Sequence, residues 1–169
     1  DKAWDAAQYV FDRLEGIGLE VSYQNFTFAN HSSANVVAVL NGTDADAGVF
    51  LFGAHYDSEN EEATTLELAQ GLPAPGADDD ASGVAALIEL AGALSGVRAR
   101  QTIKFVAFGA EEKGFDGTGG LRGSTHFVEI EKAAGTVYEC AVVLDMVGYS
   151  GDPGNYCVIV TSEDEVPFV

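Results

Sequence analysis

The sequence predicts an α/β domain built on a largely parallel central sheet. Three observations predict it. Short runs rich in Val, Phe and Ile pass with almost no polar interruption, segments of helical period lie between them, and 47% of residues are apolar against 21% charged. Strands covered on both faces read as continuous apolar runs, and their alternation with helices marks a parallel sheet between helical layers. The 169 residues are expected to form one domain, 1–169, that buries about two-thirds of its unfolded surface.

Taken in order, Trp4, Ala7, Val10, Phe11, Leu14 and Ile17 recur at helical spacing, and Gly16 and Gly18 end the pattern. That is an amphipathic first helix. Leu19, Val21 and Tyr23 alternate with Glu20, Ser22 and Gln24, as in a half-buried strand. Residues 35–40 and 48–54 are two more strands, expected to be neighbours across the turn Asn41-Gly-Thr-Asp44. Residues 58–77 read as a long polar loop. Residues 81–94 are apolar almost all round, with Glu89 their only charge, which predicts a buried helix. A strand over 102–110, a glycine-rich loop over 114–123 and a helix over 124–134 follow. The chain closes with a strand over 141–147, buried on both faces, and another over 156–161.

Charge is lopsided, with 27 acidic against 8 basic residues and a net −19. Such a surface repels phosphate backbones and anionic lipid, so nucleic acid and membranes are not expected partners. No apolar run approaches the roughly 18 residues of a membrane span. Three explanations of the acidity stay open: a solvated surface, adaptation to high salt, and carboxylates gathered around metal. Cys140 and Cys157 are too few for a disulfide framework or a thiolate metal cluster. They are expected as two small buried thiols, with a single disulfide as the alternative in an exported protein. Three glycosylation sequons, at Asn25-Phe-Thr27, Asn30-His-Ser32 and Asn41-Gly-Thr43, tilt the expectation toward an extracellular or cell-surface location. The chain opens at Asp1 without Met or a leader pattern, and so reads as a processed or excised piece.

The informative ionisable residues are those that interrupt the apolar runs: His55 and Asp57, Asp78-Asp79-Asp80, Glu111-Glu112, and Asp145. Each falls at or near the carboxyl end of an expected strand or just ahead of the buried helix, the edge where open α/β sheets build their sites. Gathering these carboxylates is costly unless a cation neutralises them. An imidazole among the oxygens favours zinc over calcium or magnesium. In extended chain His55 and Asp57 share a face, so the carboxylate can accept the spare ring N–H; a solvated surface histidine is the plainer alternative. One Asp suffices to cap the buried helix, and three exceed that need. The side chains of Glu111 and Glu112 diverge, so one can bind metal while the other works as a general base; a solvated pair is again the alternative. Asp145, inside an apolar strand, requires a partner, either a cation or a structural hydrogen bond.

These residues sit in Gly53-Ala-His-Tyr-Asp-Ser58, Pro75-Gly-Ala-Asp-Asp-Asp-Ala-Ser-Gly-Val84, Phe108-Gly-Ala-Glu-Glu-Lys-Gly114, Gly123-Ser-Thr-His-Phe127 and Leu144-Asp-Met146. Each motif is short, but the ordered set over residues 53–146 resembles the zinc aminopeptidase family of leucyl-type bacterial enzymes and aminopeptidases S and Y. Glutamate carboxypeptidase and the transferrin receptor share its fold. The resemblance implies a three-layer αβα sandwich, two Zn2+ ions and peptide substrates with a free amino terminus. It implies His55 and Asp145 on one zinc, Asp79 bridging both, Glu112 on the other, Glu111 as general base and Asp57 behind His55. It further implies a cis bond between Asp79 and Asp80. The family's last zinc-binding His lies well beyond the Asp145 equivalent, and no His follows His126 here. A C-terminally incomplete domain with an unfinished second zinc site is therefore expected, with neither His31 nor His126 a ligand. Two other functions on the same fold are a catalytically silent binding or receptor domain and a single-zinc glutaminyl cyclase. Retention of every expected metal residue up to Asp145 argues against the silent domain.

Overall fold

Helical period at the start of the chain becomes α1 (Lys2–Gly16), which buries Ala7, Val10 and Leu14. The computed structural model describes residues 2–28, 30–60, 73–113 and 120–149. After α1 come β1 (Glu20–Phe28), β2 (His31–Leu40), β3 (Val49–His55), α2 (Ala81–Leu94), β4 (Thr102–Phe108), α3 (Arg122–Ala134) and β5 (Tyr138–Val143). The expected strand over 156–161, most of the polar loop, residues 114–119 of the glycine-rich loop and Cys157 lie outside the described residues. Cys140 is half-buried on β5. None of the described helices is long and apolar enough to cross a membrane.

Among the described residues the sheet runs β1-β2-β4-β3-β5. β3 lies parallel to both β4 and β5, whereas β1 with β2 and β2 with β4 are antiparallel. The class is α/β with a mixed sheet. β2 and β3 are not neighbours, because β4 lies between them. The turn after β2 instead bonds to the segment entering β4: Thr43 N donates to Ala99 O at 3.0 Å and Asp44 N to Arg100 O at 3.1 Å. β2 also begins earlier than its apolar run, since polar His31, Ser32 and Ser33 complete the backbone ladder with β1.

Alternation along the strands sends successive side chains to opposite faces. Val36, Ala38, Phe105 and Ala107 pack with Val10 and Leu14 of α1 and Leu87 and Ala91 of α2. Val37, Val106 and Phe108 pack with Phe127 of α3. The result is three layers. Between β4 and α3, Lys104 Nζ lies 2.6 and 2.7 Å from the two carboxylate oxygens of Glu131.

The parallel register sets His55 beside Phe108, so β3 and β4 end together. β5 departs from expectation. It ends at Val143, and Val142 and Val143 are 38% and 61% exposed. Asp145 therefore lies just past an exposed strand rather than inside a buried one. A run such as Ala141-Val-Val-Leu144 carries no sign of whether a layer covers it.

Candidate functional site

β3 delivers His55 to the carboxyl edge of the sheet, where the residue is only 4% exposed. Its Nε2 faces three carboxylates from three separate segments: Asp79 Oδ1 at 2.9 Å, Glu111 Oε2 at 3.9 Å and Asp145 Oδ1 at 4.0 Å. Glu112 lies with His55 and Glu111 in a second group whose ligand atoms are all within 4.8 Å of one another. The expected residues His55, Asp57, Asp79, Glu111, Glu112 and Asp145 thus converge on one rim.

The opposite ring atom, His55 Nδ1, lies 3.1 Å from the main-chain carbonyl of Asp57 and 3.7 Å from its Oδ1. The expected ring bond to the Asp57 carboxylate is therefore made by that residue's carbonyl instead. The carboxylate is occupied elsewhere: it accepts the backbone N–H groups of Glu111 and Glu112, each at 3.1 Å. Asp57 holds the chain that bears both glutamates.

The Asp79–Asp80 bond is cis, as the resemblance implies. Asp80, expected only as a candidate helix cap within the triplet and as partner in the cis bond, is 1% exposed. Its Oδ2 accepts from His55 N at 3.1 Å, and its Oδ1 from Gly83 N at 3.0 Å and Met146 N at 3.1 Å. The signal was its place as the residue immediately before the helix, where a cap belongs. Gly83 is required there, since a Cβ would collide with the Asp80 carboxylate and lie 2.7 Å from Leu144 O. By distance Asp80 also groups with His55 and Asp145, but its oxygens are committed to three N–H groups, whereas Asp79 is 46% exposed at its side chain and faces Nε2 directly.

The electrostatics of this rim call for a cation. Burial would lower the His55 pKa, yet the Asp57, Asp80 and Glu111 carboxylates outweigh it and push it up to about 10. Burial raises Asp80 to about 6 against its hydrogen bonds. Burial, with Asp79 and Glu59 nearby, raises Glu112 to about 7. Glu111 is raised as well, by burial first and then by Asp57, Asp145 and Asp79 against the opposing His55. Donors around a tetrahedral zinc, with bonds of about 2.0 Å, stand about 3.3 Å apart. The distances of 2.9 to 4.0 Å around Nε2 straddle that value, and one imidazole with carboxylates is a zinc-type donor set. The residues fit the metal. His31 and His126 do not join them: their rings pack against Phe28 and Phe26 at 5.7 and 5.3 Å.

Comparison with known proteins gives the same direction. The sequence model described as Peptidase family M28 matches residues 35–166. A probable zinc metalloprotease of Pyrenophora tritici-repentis (strain Pt-1C-BFP) is 39% identical over 115 residues, covering 68% of this chain and 24% of that protein. The LapA aminopeptidase of Legionella pneumophila superposes with a TM-score of 0.68 at 25% identity, over 89% of this chain and 37% of that one. The glutaminyl cyclase of Fimbriiglobus ruber superposes with a TM-score of 0.63 at 26% identity, over 82% of this chain and 51% of that one. The chain spans less than half the length of the curated relatives it matches.

Proposed function

This chain belongs to peptidase family M28, and from that premise we propose that its rim cluster is the metal centre of a zinc-dependent aminopeptidase that removes the first residue from peptides with a free amino terminus. The observation that carries the reading is the buried His55 Nε2 faced by carboxylates of Asp79, Glu111 and Asp145. His55, Asp79 and Asp145 would hold one zinc, and Asp79 with Glu112 would serve a second. The chemistry such ions supply when bound is Lewis-acid polarisation of a carbonyl and a lowered pKa for water.

The chain's own residues do the rest. Glu111 stands 3.9 Å from Nε2, beside the cluster without a hydrogen bond to the histidine, and its raised pKa brings it nearer the operating range of a general base. Its carboxylate takes the proton of the attacking water and returns it to the departing amine. Asp57 keeps Glu111 and Glu112 in place through their N–H groups. The negative rim draws a protonated amino terminus toward the site. The exposed Asn25, Asn30 and Asn41 of the three sequons support an exported protein.

Release of the amine from an aminoacyl chromogenic amide, with and without chelator, tests this function. Glu111→Ala is expected to keep its zinc and lose about 10²- to 10⁴-fold in turnover; undiminished turnover overturns the role. The likeness to a glutaminyl cyclase favours a second reading, in which a glutaminyl peptide is cyclised with loss of ammonia. Ammonia release from that peptide, without hydrolysis of the chromogenic amide, would select it.

A further inference from the structure

We propose that the Asp triplet divides its work: Asp79 faces the metal, while Asp78 and Asp80 are positioning residues that clamp the turn bearing Asp145. The proposal rests on the metal-centre reading above. A helix cap needs one carboxylate, and Asp80 supplies it through Gly83 N. The remaining bonds of the two outer aspartates go elsewhere. Asp80 Oδ1 also accepts Met146 N at 3.1 Å, and Asp78 Oδ1 accepts Gly148 N at 2.9 Å. These bonds span 66 and 70 residues of sequence and grip the chain at alternate positions just after Asp145.

Among the described residues, the turn's own backbone adds one bond, from Tyr149 N to Met146 O at 3.2 Å. The β5 ladder runs out at Leu144, whose N–H donates to Gly53 O at 2.8 Å. Asp145 is 57% exposed at its side chain, and Met146 adopts φ +49°, a left-handed conformation that non-glycine residues seldom keep without outside support. Ser82 backs the clamp, its Oγ donating to Asp78, with the main-chain O at 2.8 Å and Oδ1 at 3.1 Å, and accepting Gly148 N at 3.3 Å. Gly148 is itself part of the fit, since a Cβ there would lie 2.9 Å from Asp78 Oδ1. Because Asp78 and Asp80 flank Asp79 in the chain, the same three residues fix the carboxylate that faces His55 and the turn that brings Asp145 to it.

The clamp can be broken from either side, by Asp78→Ala and by Gly148→Ala, the second without touching a carboxylate. Zinc affinity is read by competition with a chromophoric chelator, ligand geometry by the visible spectrum of the cobalt-substituted protein, and the bond itself by amide exchange at residue 148 in the zinc-free protein. Both variants are expected to bind zinc about tenfold more weakly, to alter the cobalt bands and to speed that exchange. Asp78→Asn keeps Oδ1 as an acceptor and is expected to restore all three readouts. Unchanged affinity and spectrum in folded Asp78→Ala and Gly148→Ala would overturn the clamp, and Gly148→Ala decides alone if Asp78→Ala does not fold. So would Asp78→Asn losing zinc as completely as Asp79→Asn, which would make Asp78 a ligand or a needed charge. A parent protein that takes up no zinc overturns the metal reading and the clamp together.

Discussion

His55 shows how much a single position can announce. A histidine that ends an apolar strand and is followed two residues later by Asp57 was legible in the sequence, and the ordered motifs located Asp79, Glu111, Glu112 and Asp145 on the same rim. What Asp80 does beyond capping the helix was not legible. Three identical residues in a row offer no local means of telling which oxygen faces a ligand and which accepts an N–H, and one of its donors, Met146 N, lies 66 residues away. The Asp57 carboxylate likewise has a different occupation from the one its spacing suggested, because it accepts the backbone N–H groups of Glu111 and Glu112 at 3.1 Å and lies 3.7 Å from the ring of His55. Asp57→Ala is accordingly expected to lower kcat/KM on the chromogenic amide by about 10- to 100-fold, the usual consequence of freeing residues that must be held. An unchanged kcat/KM would place those two glutamates under other control.

Elements were legible where periodicity was strong. Ala81–Leu94 was read to the residue, because an all-apolar stretch preceded by a capping Asp has few alternatives. Strand partners were not, since the apolar content of β2, β3 and β4 is equally compatible with several sheet orders, and long-range bonds from residues 43 and 44 decide among them. The Lys104–Glu131 pair, 17% and 12% exposed at the side chains, joins β4 to α3. Burial would raise the Glu131 pKa, but the Lys104 ammonium and neighbouring hydrogen bonds outweigh it and hold it below the usual carboxylate range. The pair's contribution is therefore present above the carboxylate's ordinary pKa and is lost as pH falls through its lowered value. Glu131→Gln leaves the ammonium buried beside a neutral amide and is expected to destabilise the fold by about 3 kcal/mol in denaturant unfolding. A change below about 0.5 kcal/mol, the range of ordinary surface substitutions, would show the pair to be dispensable.

For the whole molecule, the net charge of −19 and the crowded rim act in the same sense. In the zinc-free protein His55 is raised to about 10, Glu112 to about 7 and Asp80 to about 6. The folded state thus binds protons more tightly than the unfolded chain at all three. His55 contributes stability that is complete below its ordinary pKa of about 6.5 and is lost as pH rises through its folded value, while the two acids add a growing penalty as they ionise. The Tm of chelator-treated protein is therefore expected to fall between pH 5 and pH 8, with zinc restoring more at pH 8 than at pH 5. A Tm that climbs over that interval would contradict the electrostatic picture.

The most direct test of the rim as a metal centre is calorimetric titration of zinc into metal-stripped parent protein and into His55→Ala. Tight uptake by the parent is expected, with His55→Ala weakened by more than the roughly 10- to 100-fold attached to a ligand's hydrogen-bond partner. Equal affinity in the two proteins would mean that zinc, if it binds at all, is held somewhere else.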